Sequence, residues 1–142
     1  VRVAIGSDSQ TIIDPLEEMR LIEYHERLRR LERVLLGTAS LERIAVAPTL
    51  LRTATVNGAA SLRVNAGAIE PGRAADLVSV DLSDISLTGF SAESLDALIA
   101  LTATPAVIRD VWVGGRQVVA ERMHRDAGDI THRYRDVVER VC

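Results

Sequence analysis

The side chains able to do chemistry are few and widely separated. Asp8 stands in Ser7-Asp8-Ser9-Gln10, directly after the apolar run Arg2-Val3-Ala4-Ile5-Gly6, which reads as a short strand. A carboxylate one step past a buried strand sits where parallel β/α barrels build active sites, because those sites are assembled at the C-terminal ends of strands. The same residue types also suit an ordinary turn, and position and type alone leave both readings open. His25, His124 and His132 show no H-x-H, H-E-x-x-H or cysteine-based spacing, and no complete metal site is legible. His25 lies among charged residues in a helical stretch and His132 near the start of the last helix, so both read as surface or packing residues. Ser7 and Ser9 lack a G-x-S-x-G elbow, and no glycine-rich loop has phosphate- or dinucleotide-binding spacing. The single cysteine, Cys142, cannot form an internal disulfide, which fits a reducing compartment and makes the cytoplasm the expectation.

The elements that must position Asp8 follow it. Asp14 is placed to cap a helix, Pro15 suits its first position, and Glu17 has capping-box spacing from Asp14. Leu21, Tyr24, Leu28, Leu31 and Leu35 draw an apolar stripe expected to pack against something large, with Gly37 as the stop. A second helix is predicted from Pro48, rich in small residues and interrupted at Asn57-Gly58. From about Arg63 the pattern turns to short β segments. Glu70-Pro71-Gly72 forms a type II turn, 76–81 a strand, and Ser91 caps a helix bearing Leu95, Leu98 and Ile99. Residues 107–113 and 116–119 flank Gly114-Gly115 as a hairpin, and a last amphipathic helix carries Ile130, Tyr134, Val137, Val138 and Val141 behind an Asp129 cap. Trp112 and Phe90 are expected to pack in the core.

Composition excludes several classes. With 47% hydrophobic and 26% charged residues over 142, the chain can bury a real core and is not disordered. No apolar run approaches the roughly 18 residues of a membrane-spanning helix, and the start has no secretory leader. All 17 basic residues are arginine, mixed among 20 acidic ones, so no basic footprint points to nucleic acid. Arg27, Arg29, Arg30 and Arg33, interleaved with Glu23, Glu26 and Glu32, read as a solvated, ion-paired helix face. The chain begins at Val1 rather than Met, as though cut from something longer.

Three stretches carry a resemblance. Gly6-Ser7-Asp8-Ser9-Gln10, continued by 15–24 (Pro-Leu-Glu-Glu-Met-Arg-Leu-Ile-Glu-Tyr) and Arg27-Leu28-Arg29, resembles the last barrel strand and helix of the formimidoylglutamate deiminases of the amidohydrolase superfamily. Residues 54–59 (Ala-Thr-Val-Asn-Gly-Ala) and 67–78 (Gly-Ala-Ile-Glu-Pro-Gly-Arg-Ala-Ala-Asp-Leu-Val) resemble the general tail signature of that superfamily, and 111–119 continues it. Arg122 departs from it, since a glycine commonly makes that turn.

The resemblance implies an α/β plus β chain. Residues 1–62 would be the last strand and C-terminal helices of a metal-dependent (β/α)8 barrel, and 63–142 the C-terminal part of a small β-sandwich domain with flanking helices, the last of them terminal. A whole barrel takes about 250 residues, so the chain is expected to be a C-terminal piece, inactive alone. The implied reaction is zinc-dependent hydrolysis of N-formimidoyl-L-glutamate to N-formyl-L-glutamate and ammonia, a step of histidine degradation. Asp8 matches the carboxylate that ligates the metal and accepts the proton of its bound water; the other ligands and the substrate-binding residues are expected upstream. The alternatives are another amidohydrolase, acting on a heterocycle, a guanidino compound or a chlorinated substrate, or a non-catalytic oligomerising module. Expected partners are a small-molecule substrate and either a second copy, as a homodimer, or the missing N-terminal portion, with no nucleic acid and no membrane.

Overall fold

Asp14 does what its type and place predict: its carboxylate accepts the Leu16 N–H at 2.9 Å and opens α1, Pro15–Arg30, with Pro15 in the first turn. The computed structural model describes residues 2–9, 11–39 and 44–141. Val1, Gln10 and Cys142 lie outside the described residues.

α1 stops well short of Gly37, with Leu31 in the left-handed region at φ 56°. The reason is Glu23, which is fully buried and turned against the following loop. Its carboxylate accepts the N–H groups of Leu35 and Leu36 at 3.1 and 2.9 Å and Arg27 Nε at 2.7 Å. The inward face of α1 is therefore centred on Met19 and Glu23, and Leu28 and Leu31 of the expected stripe are 73% and 89% exposed. Only Leu21, Tyr24 and Leu28 of the expected stripe lie in α1; Leu31 and Leu35 fall beyond its end, so the leucine spacing ran past the helix and the inward face is a different one.

A two-residue antiparallel pair, β1 (Thr38–Ala39) and β2 (Ile44–Ala45), leads to α2 (Ala47–Ala54) and α3 (Val56–Ser61). The interruption falls at Thr55, not at Asn57-Gly58, which lie inside α3. Thr53 and Thr55 both return their hydroxyls to carbonyls of the preceding turn, Leu50 and Leu51, a pattern that competes with regular helix. Val46, Ala47 and Leu50 meet Met19 of α1 and Ala100 of α4 (Leu95–Leu101) in one buried cluster, with Ile5 and Leu16 against it. Leu87, Ala103 and Val107 form a second cluster, which Leu16 also touches. Ser91 does not cap α4 directly. It anchors the preceding turn, its carbonyl accepting the Leu95 N–H at 3.0 Å.

The β segments form one antiparallel sheet in the order β3 (Leu77–Val80), β4 (Ile108–Val113), β5 (Arg116–Ala120), β6 (Met123–His124). Gly114 and Gly115, at φ 56° and 78°, make the predicted hairpin turn. The Glu70–Arg73 turn closes as expected, with Gly72 at φ 84° and the Arg73 N–H on the Glu70 carbonyl. β6 was not foreseen, because its turn uses Glu121 and Arg122, at φ 47° and 67°, where glycine or asparagine would signal one. α5 (Ala127–Val141) starts ahead of Asp129, which lies in its first turn instead of capping it. Phe90 is 41% exposed and so is not core, whereas Trp112 is half-buried on β4.

Residues 2–7 pair with no strand among the described residues. A parallel barrel strand exists only through ladders to neighbours on both sides, and no described strand supplies one. No described helix is long and apolar enough to cross a membrane.

Candidate active-site segment

Asp8 and Ser9 form a turn at the end of the 2–7 segment, and Asp8 is exposed. Among the described residues its carboxylate makes no hydrogen bond or ion pair, leaving both oxygens available as acceptors. Two contacts hold the segment to the helices: Ile5 packs on the α1–α2–α4 cluster, and Asn57 Nδ2 of α3 donates to the Val3 carbonyl at 2.8 Å. Beyond the turn, Glu18 presents a buried Oε1 with no hydrogen-bond partner among the described residues, and it lines a shallow pocket with Thr11, Ile12, Glu17 and Leu21. From the sequence Asn57 was read only as a helix interruption, and Glu18 only as part of the family-like stretch. Both lay in plain view inside the family-like stretches, but a helical Asn or Glu carries no mark of what it will reach.

The histidines do not join Asp8. His25 is exposed on α1, and His132 is 77% exposed on α5, 3.6 Å from Asp136. His124 Nδ1 accepts the Asp126 N–H. No three His, Cys, Asp or Glu side chains among the described residues are grouped to hold a metal ion. Asp8 offers one ligand oxygen where a zinc site needs three or four donors, so these residues alone do not fit a metal and no step is derived through one.

The tail-signature residues are architectural. A Cβ on Gly67 would lie 2.8 Å from the Thr55 carbonyl oxygen and 2.9 Å from Ala59 Cβ, so glycine alone lets the chain cross α3 there. Asn65 brackets the next turn, donating to the Gly72 carbonyl at 2.8 Å and accepting from Arg73 at 3.3 Å, while Arg73 pairs with Glu70. Asp76 accepts the Gly114 N–H at 2.7 Å, tying that turn to the hairpin.

Arg122, the departure from the signature, uses its side chain. It donates to Asp81 at 2.6 Å and to the Ala106 carbonyl at 3.1 Å. The hydroxyl and N–H of Ser83, with Arg122 adding to them, pull the Asp81 carboxyl down to about 2. Arg29 and Arg30 behave as expected on the outer face of α1, pairing with Glu26 at 2.7 and 3.2 Å, whereas Arg27 departs from that reading, its partner being the buried Glu23.

The amidohydrolase family matches residues 1–118, and the chain belongs to that family. Formimidoylglutamate deiminase of Pseudomonas aeruginosa is 33% identical over 123 residues, which cover 87% of this chain and 27% of that protein. A 5-methylthioadenosine/S-adenosylhomocysteine deaminase of Thermococcus sibiricus is 36% identical over 86 residues, 58% of this chain and 18% of that one. An adenosine deaminase from Xanthomonas campestris, solved with bound zinc, shares the fold at a TM-score of 0.77 and 26% identity, over 99% of this chain and 32% of that one. The chain thus spans less than a third of the length of each.

Proposed function

We propose that the chain is the C-terminal part of a cytoplasmic, zinc-dependent deiminase that hydrolyses N-formimidoyl-L-glutamate to N-formyl-L-glutamate and ammonia. Residues 1–62 would close its barrel and 63–142 contribute to its β-sandwich, with upstream sequence supplying the remaining metal ligands and the substrate-binding groups. The observation that carries this reading is the likeness to formimidoylglutamate deiminase over 87% of the chain.

In this reading Asp8 does the proton work. Water oxygen bonds to the amidine carbon, and one free oxygen of Asp8 takes the proton that the water loses. Asp8 passes that proton to the terminal nitrogen, which has taken up the C=N π electrons. It then carries the second proton, from the hydroxyl now on the carbon, to the same nitrogen; the hydroxyl oxygen becomes the formyl C=O as the C–N bond breaks and ammonia leaves. An exposed carboxylate with both oxygens unengaged suits that transfer, since no structural hydrogen bond has to be broken first. The open sheet edges and the exposed apolar face of α5, with Ile130, Tyr134 and Val137, are the surfaces that a second copy or the upstream portion would cover.

A second reading is a heterocycle aminohydrolase, favoured by the 36% identity to the Thermococcus sibiricus deaminase. The two are separated by measuring ammonia release from N-formimidoyl-L-glutamate and from adenosine-type nucleosides, with zinc present and the protein extended upstream of Val1. Turnover of the amidine supports the first reading; turnover of the nucleosides alone replaces it with the second.

A further inference from the structure

We propose that Glu18 anchors the part of the protein that precedes Val1: its buried carboxylate oxygen takes a guanidinium from an arginine of that upstream portion. The inference rests on the reading of the chain as a C-terminal part, and adds to it the residue and the chemistry of one contact.

Glu23 is fully buried on α1, and Glu18 and Glu26 are half-buried. Glu23 has its cation four residues on, at Arg27, and Glu26 pairs with Arg29 and Arg30. Glu18 is followed at the same spacings by Leu21 and Ile22 and preceded by Asp14 and Pro15, so its own helix offers it no cation. Arg20, in the same turn, gives its guanidinium to the Ala103 carbonyl. Nor does Glu18 cap the helix. The capping-box place, three residues after Asp14, belongs to Glu17, and the Glu18 N–H is already bonded to the Asp14 carbonyl.

Glu18 Oε1 is nevertheless buried, with no hydrogen-bond partner among the described residues. Burying a carboxylate oxygen without a donor is costly, and buried polar groups in folded proteins are paired almost without exception. The chain spans less than a third of the length of the relatives it matches, and the missing donor belongs to the rest. The cavity indicates its type. It measures about 160 Å³ between Thr11, Ile12, Glu17, Glu18 and Leu21, room for the head of one side chain. Two carboxylates in its wall call for a cation, and Ile12 and Leu21 offer apolar surface to an aliphatic stem. A guanidinium is less strongly hydrated than an ammonium and its planar fork matches a carboxylate, which suits it to a half-buried pair. The chain itself carries all 17 of its basic side chains as arginine.

The test is an arginine map of the upstream-extended protein. The parent, Glu18→Gln and Glu18→Asp are treated with phenylglyoxal, which modifies accessible guanidinium groups, and the rate is read at each arginine by mass spectrometry. Glu32→Gln, at an exposed position past the end of α1, is the control. One arginine upstream of Val1 is expected to react slowly in the parent and at least about fivefold faster in Glu18→Gln, because it loses a charge-assisted bond. Glu18→Asp, which keeps the charge one methylene further back, should give a smaller rise, and Glu32→Gln none. Should Glu18→Gln unfold the protein, seen as a rise at all arginines, Glu18→Asp carries the same reading. Replacing the identified arginine with Met is then combined with the Glu18 variant in a double-mutant cycle on the urea midpoint, where the second substitution should add little once the first is made. An unchanged rate at all upstream arginines, or additive losses in the cycle, overturns the proposal and leaves Glu18 to water or a backbone N–H. Zinc-supported ammonia release from N-formimidoyl-L-glutamate is measured beside it: its absence removes the substrate assigned above, whereas the arginine map still decides the anchor.

Discussion

The segment that carries Asp8 and the loop that follows α1 are both irregular, yet they are held in opposite ways. The loop after α1 closes on Glu23, a fully buried carboxylate that accepts from two backbone N–H groups and an arginine. Burial alone would raise the Glu23 carboxyl, and the bonds from Arg27, Leu36 and Leu35 outweigh it, so the group is held below the usual range. Asp8 has no such company among the described residues; its segment meets the helices through the Asn57 bond to Val3 and the packing of Ile5. A saturated carboxylate is structural, because its oxygens are already committed. A free one is uncommitted, and stability is the wrong property by which to look for its role.

Changes to the saturated region should cost the most stability. Replacing Glu23 with Leu leaves two half-buried N–H groups and Arg27 unpaired and is expected to destabilise by about 3 kcal/mol, read as a shift in urea midpoint. A loss of under about 1 kcal/mol would mean that water replaces the carboxylate and that the contrast with Asp8 is weaker than drawn. Gly67→Ala comes next. The added methyl meets the Thr55 carbonyl and Ala59 at a left-handed φ of 83°, and about 2 kcal/mol is expected from the same measurement.

The smallest effect belongs to Arg122→Gly, which relieves a positive φ and removes an exposed ion pair, two changes of opposite sign. Its midpoint at neutral pH should barely move. Asp81 is held to about 2 against an ordinary 3.8, so its contribution is complete above about pH 3.8 and is lost as pH falls through about 2. Since Ser83 is the larger cause, the Arg122→Gly variant should keep most of that acid limb in a pH series of unfolding midpoints. Loss of the whole limb would move the cause to Arg122.

The parts legible in the sequence are those written in local chemistry. Asp14 with Pro15, Pro71 with Gly72, and Gly114 with Gly115 each announce a cap or turn within a few residues, and each formed where expected. The failures are tertiary. Glu23, amid arginines and glutamates, has the pattern of a solvated face, and only the chain returning at Leu35 and Leu36 draws it inward. Glu121 and Arg122 take left-handed conformations without any turn residue, because Asp81 and Ala106 give the Arg122 side chain partners from other elements. Asp8 was singled out by its position after an apolar run and by family likeness; its freedom from partners and the Asn57 bond to Val3 in its segment required the fold.

The most direct measurement pairs the two carboxylates in the upstream-extended protein: zinc-supported ammonia release from N-formimidoyl-L-glutamate and the thermal midpoint, for Asp8→Asn and Glu23→Gln side by side. The account predicts that Asp8→Asn loses at least about a thousandfold in turnover with its midpoint unchanged, while Glu23→Gln lowers the midpoint and leaves the turnover of folded enzyme within about threefold. An Asp8→Asn protein that still releases ammonia at the parent rate would contradict it.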